Sequence, residues 1–177
     1  MIGKVSDIIF YHTSVSCETP MPIKVFLYLH YILLLLKVKS ILCYNLNMKT
    51  ILVDAVYGLV VEGENGFEVW KPLQELLEEF PNKKIILTGA DDEQYKKFGL
   101  DNMPYEVFTL KHNPEKTDPE YYKIMLAHFN LSPEDVIYFE HSPEAVASAQ
   151  SVGIKTFQWD DNTRPLAELK EFLKNNL

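Results

Sequence analysis

From residue 50 onward, short apolar runs alternate with longer amphipathic stretches, and this alternation constrains the fold more than any other feature. Thr50–Asp54, Lys84–Leu87, Tyr105–Thr109, Val136–Phe139 and Ile154–Trp159 read as strands. Between and after them lie helical patterns. Glu68–Phe80 places Val69, Leu73, Leu76, Leu77 and Phe80 on one face. Asp91-Asp92 caps a short helix ending near Phe98, and Asp118 followed by Pro119 starts one ending near Phe129. Pro143–Val152, closed by Gly153, and Arg164–Asn175 complete the set. Tyr57–Phe67 reads as a glycine-bearing loop or short hairpin, and Ser132–Asp135 as a turn. Strands alternating with helices of this length predict a three-layer α/β/α, Rossmann-like fold with a parallel sheet covered on both faces.

Composition supports a packed domain and narrows the partners. The chain has 177 residues, 47% hydrophobic and 12% aromatic, enough to bury a core. Its formal charge of -8 argues against a nucleic-acid surface, which needs clustered lysine and arginine. Arg164 is the one arginine, so a forked guanidinium clamp has one candidate. Cys17 and Cys43 both precede residue 48 and form no CxxC pair, so neither a disulfide framework nor a zinc cluster is expected. That usage fits a cytoplasmic protein.

Residues 1–47 differ from the rest. Lys4, Lys24, Lys37 and Lys39 stand against Asp7 and Glu18, a net of about +2 that leaves about -10 for the remainder. The uninterrupted apolar stretch Tyr31–Leu36 is far below the roughly 20 residues of a membrane span. Val25–Tyr44 is longer but contains His30, Lys37 and Lys39. Three readings stand: a mis-assigned start with translation from Met48, a signal or membrane anchor, or an extra helix packed on the domain. The domain division expected is an atypical extension at 1–47 and an α/β domain at 48–177.

Asp54 ends the first apolar run, and the C-terminal ends of parallel strands are where α/β sheets place their chemistry. Three further polar motifs stand at strand ends or in the loops that follow. Thr88 closes Lys84–Gly89, Lys116 lies in the loop before Asp118-Pro119, and Glu140-His141-Ser142-Pro143 follows Val136–Phe139. Taken in order, this set resembles the haloacid dehalogenase superfamily over about residues 49–160, with the last motif similar to a Phe-Glu-Asp-Ser form of the phosphoglucomutase-like branch. The resemblance implies that Asp54 is a nucleophile forming an aspartyl intermediate, that Lys116 offsets its charge, and that Thr88 with the backbone of Gly89 and Ala90 holds a transferring oxygen. It implies a divalent ion, magnesium with manganese or zinc as alternatives, held by Asp54, the Val56 carbonyl, Glu140 and His141.

Two residues depart from that pattern. Val56 stands at the position of the family's acid/base aspartate, and valine cannot protonate a leaving alkoxide. His141 stands where a metal-binding aspartate is expected, and imidazole suits zinc, manganese or iron better than magnesium. About 27 residues separate Val60 from Leu87, and about as many separate Gly89 from Glu115, too few for a cap domain. A capless core resembles members that act on large substrates or are capped by a neighbouring subunit.

Two functions are therefore expected. One is a phosphatase-type hydrolase acting through Asp54 on a phosphorylated small molecule or protein. The other is a non-catalytic relative that binds a phosphorylated ligand or a protein partner. A homo-oligomer fits either, and a membrane role depends on residues 1–47. The remaining polar and aromatic residues read as structural: His112 as a surface loop residue, His128 near a helix end, Trp70 and Trp159 as packing, and Asp91-Asp92-Glu93 as a helix start.

Overall fold

The computed structural model describes residues 27, 28, 30–37, 48–64 and 66–177. The chain divides into two units, Met1–Tyr44 and Asn45–Leu177. In the first, residues 30–37 are helical. Among the described residues no helix is long and apolar enough to cross a membrane. Most of the stretch on which the start-site, signal and anchor readings rest lies outside the described residues.

In the second unit, β1 (Thr50–Asp54), β4 (Lys84–Thr88), β5 (Glu106–Thr109), β6 (Val136–Glu140) and β7 (Lys155–Gln158) form one parallel sheet in the order β5-β4-β1-β6-β7. Every residue of β1 and β6 is buried, as expected of central strands covered on both faces. The period-2 pleat divides β1 between two cores. Ile51 and Val53 point into one with Leu73, Leu77, Leu169 and Leu173, from α1 (Lys71–Glu78) and α5 (Leu166–Asn176). Leu52 points into the other with Tyr121, Tyr122, Met125 and Ala149, from α3 (Pro119–Phe129) and α4 (Pro143–Ser151). The short α2 (Asp92–Lys97) lies between β4 and β5. The chain runs outward from β1 through β4 to β5, then returns to the other side of β1 as β6 and β7. That reversal opens a crevice at the carboxyl end of β1, where open α/β sheets bind ligands.

Two helix starts differ from the sequence expectation. The helix predicted from Glu68 begins at Lys71, and Gly66–Val69 instead forms β3, paired antiparallel with β2 (Val60–Gly63). Val69 falls four residues before Leu73 and so mimics a helical face. Pro72 in the first turn marks the true start, because its missing N–H is tolerated only there. The closing helix begins at Leu166 rather than Arg164, since Arg164 takes φ 49° and Pro165 precedes the first turn. The hairpin alternative for Tyr57–Phe67 is the one adopted.

Candidate active site

The carboxylate of Asp54 is placed by β1 and by the turn that follows. Leu59 N donates to the Asp54 carbonyl at 3.0 Å and Val60 N to the Ala55 carbonyl at 2.7 Å, folding the chain back sharply. A Cβ at residue 58 would stand 2.4 Å from that Asp54 carbonyl, so only glycine fits at Gly58. Tyr57 takes φ 66° in this turn. A left-handed conformation costs a non-glycine residue about 1–2 kcal/mol.

Asp54 is 1% exposed, and each of its oxygens meets a nitrogen. Lys116 Nζ, from the loop between β5 and α3, is 2.6 Å from Asp54 Oδ1. His141 Nδ1, just after β6, is 2.5 Å from Asp54 Oδ2. Both also reach Glu140, Lys116 Nζ at 2.6 Å from Oε2 and His141 Nδ1 at 3.0 Å from Oε1. Glu140 is wholly buried, and it further accepts from Ser142 N at 2.9 Å and from the Tyr138 hydroxyl.

The cluster shifts its own titrations. Burial pushes the Glu140 carboxyl up, but Lys116 and the hydrogen bonds from His141, Lys116 and Tyr138 outweigh it and hold it well below the usual range. Burial pushes the Lys116 ammonium down, but Asp54 and Glu140 outweigh it and hold it above its ordinary value. Hydrogen bonds to Asp54 and Glu140 push the His141 imidazole up to about 10. For Asp54, burial and then the Glu140 charge outweigh Lys116 and His141 and push the carboxyl above the usual range.

Asp54 and His141 face a cleft of about 230 Å³ that Val56, Tyr57, Thr88, Gly89, Ala90 and Lys116 also line. Thr88 ends β4 beside Asp54, and its hydroxyl accepts from Ala90 N at 3.1 Å, fixing the turn that carries Gly89 and Ala90 to the cleft. Glu140 is not part of that lining and lies behind Lys116 and His141. Asp54, Glu140 and His141 each offer one ligand atom, and these atoms lie within 4.8 Å of one another. Two carboxylates and an imidazole form a donor set that fits a divalent ion once the imidazole is neutral.

His112, expected as a plain surface residue, also lines the cleft. Its Nε2 is 2.5 Å from Gln94 Oε1 on α2, and its Nδ1 is 2.8 Å from Glu115 Oε1. Local sequence cannot show the Gln94 contact, which joins residues 18 apart. The one available signal was that His112 shares a loop with Lys116. The other structural readings hold. Trp159 is buried in the core, with Trp70 packed against that core and stacked under Arg164 at 4.9 Å, and His128 packs on Phe108 and Phe129. Asp91 and Gln94 make a capping box.

The same arrangement of strands and helices occurs in solved structures. A haloacid dehalogenase family enzyme from Bacteroides thetaiotaomicron, in complex with magnesium and inorganic phosphate, superposes with TM-score 0.52 at 13% identity, over 64% of this chain and 95% of that one. An aspartate-to-alanine mutant of that enzyme, with the same ligands, gives TM-score 0.54 at 12% identity over the same shares. The fold is haloacid dehalogenase-like. An uncharacterized protein from Listeria monocytogenes serotype 4b matches at TM-score 0.56 and 15% identity, over 72% of this chain and 98% of that one. No family model matches the sequence. No curated protein matches it. Identities this low speak for the fold alone, so the chemistry of this haloacid dehalogenase-like domain is argued from its own residues.

Proposed function

We propose that this chain is a metal-assisted phosphomonoester hydrolase with Asp54 as its nucleophile. The observation that carries the reading is the Asp54 carboxylate itself, fixed at the end of the central strand, held between Lys116 and His141 and facing a cleft. Asp54 attacks phosphorus, the bond to the alcohol oxygen breaks, and water then hydrolyses the aspartyl phosphate. Lys116 balances the carboxylate before attack. The Thr88 hydroxyl and the Gly89–Ala90 backbone face the phosphoryl oxygens.

Asp54, Glu140, His141 and the Val56 carbonyl would hold the divalent ion, which supplies charge neutralisation for an anionic substrate approaching Asp54. The Bacteroides enzyme carries magnesium. In this chain the imidazole favours manganese or zinc over magnesium. Short connections around the site fit a capless domain, open to a phosphorylated small molecule or a phosphorylated protein in the cytoplasm.

A second reading has its own observation. His141 Nδ1 bridges Asp54 and Glu140 where an ion would lie, and Val56 brings no acid, an arrangement suited to binding a phosphorylated ligand without turnover. Assaying phosphate esters with magnesium, manganese and zinc, beside Asp54→Asn, separates the two. Hydrolysis that depends on Asp54 supports the enzyme. Turnover undiminished in Asp54→Asn sinks it, and no turnover with any metal favours the binding protein.

A further inference from the structure

We infer that Tyr57 is the substrate-selecting residue of the cleft, and that the alcohol of the phosphate ester it accepts carries a flat aromatic group. The inference rests on the cleft being a phosphate-ester site. Its starting point is a mismatch between residue and backbone. Tyr57 holds φ 66°, a conformation that glycine adopts without strain and tyrosine does not. Strained side chains persist where the surroundings over-determine them, and they concentrate at ligand sites.

The fold uses the backbone of Tyr57, not its ring. Tyr57 N donates to the Val60 carbonyl at 2.8 Å, and the Tyr57 carbonyl accepts from Trp159 Nε1 at 3.1 Å. Glycine would make both bonds. Tyr57 is 45% exposed, and among the described residues from 48 onward only Ile124 is another exposed large hydrophobic residue. So the side chain that costs strain contributes little to the core.

Its position gives it a use. Tyr57 lines the cleft of Asp54, and its ring meets the His141 ring edge-on at 5.6 Å between centroids. That contact leaves the ring at the cleft wall, within the turn that follows the nucleophile. Phe98, at the end of α2, adds a second aromatic side chain to the lining. A phosphoryl group at Asp54 would therefore project its alcohol past an aromatic wall. Flat rings pack on such a wall by offset or edge-on stacking, which adds to the area they bury.

The test uses the full chain and two phosphonates that cannot be hydrolysed, benzylphosphonate and propylphosphonate, titrated by calorimetry with and without manganese. Benzylphosphonate is expected to bind about tenfold tighter. Tyr57→Phe should keep that ratio. Tyr57→Gly should bring it near one without lowering the melting temperature, since glycine suits the backbone there. Equal binding of the two by the wild type, no binding of either, or a ratio preserved in Tyr57→Gly overturns the inference. Turnover of benzyl and propyl phosphate separates its failure from that of the hydrolase reading. Equal hydrolysis of both sinks the role of Tyr57 alone, while aromatic-selective binding without hydrolysis of either sinks the hydrolase alone.

Discussion

His141 Nδ1 lies 2.5 Å from Asp54 Oδ2 and so occupies the side of the carboxylate that Lys116 leaves open. A proton on Nδ1 and a metal ion would compete for the same place between Asp54 and Glu140. Replacing the imidazole by a carboxylate removes that competitor and supplies a hard oxygen ligand. His141→Asp is therefore expected to tighten magnesium binding by about tenfold or more and to reverse a preference for manganese. Calorimetric titration with each ion reads this directly, and an unchanged order of affinities would refute it.

The same contact makes the metal-free protein pH-sensitive. The folded state holds the His141 proton up to about 10, against an ordinary value of 6.5. A raised folded value means stabilisation that is complete below pH 6.5 and lost as pH rises towards 10. Lys116 is shifted above its usual range and Glu140 below its own, so neither titrates in this window, while Asp54, pushed up by burial, adds a loss of the same sign as pH rises. Urea unfolding in chelator should show stability falling between pH 6.5 and 9.5, with a flatter profile in His141→Asn. A slope that is equally steep in the variant would assign the effect elsewhere.

Lys116 touches both buried carboxylates, at 2.6 Å each. Removing it leaves Asp54 and Glu140 facing one another with only His141 between them. Breaking a buried pair from one side costs about 3–5 kcal/mol, because the remaining charge stays desolvated. Lys116→Met should lose stability of that order in metal-free buffer, measured by denaturant unfolding, and should lose hydrolysis as well. A loss below about 1 kcal/mol would mean that the carboxylates are already neutral or hydrated.

Much of this site was legible from residue order because its parts sit at strand ends. Ile51–Val53 and Val136–Phe139 are unbroken apolar runs since both sheet faces are covered, and Asp54 and Glu140 stand where those runs stop. Lys116 was marked by its motif rather than by any local pattern, and its two ion pairs span 62 and 24 residues. The closed ring of contacts was not legible. That Glu140 lies behind the cleft, and that His141 turns Nδ1 onto Asp54, depend on how β6 registers beside β1. His112 escaped for the same reason, as its partner Gln94 belongs to another element. Val69 misled because one strand residue coincided with a helical spacing.

Val56 bears on which esters the site can cleave. Its side chain lines the cleft two residues beyond Asp54 and has no proton to give. Without an acid, the departing oxygen must leave as an anion, so esters of weakly acidic alcohols should react slowly. Phenolic esters, whose oxygen leaves readily, should suffer less. A positioned acid contributes about 10²–10⁴-fold. Val56→Asp is therefore expected to raise kcat on alkyl phosphates by about 10²-fold or more, and on a nitrophenyl phosphate by much less. The difference between the two gains is the informative quantity, because a general effect on folding or metal binding would move both together. Equal gains, or none on the alkyl ester, would place the acid elsewhere in the cleft. His112 is the residue to substitute next in that case, since it lines the same cleft and is held by Gln94 and Glu115.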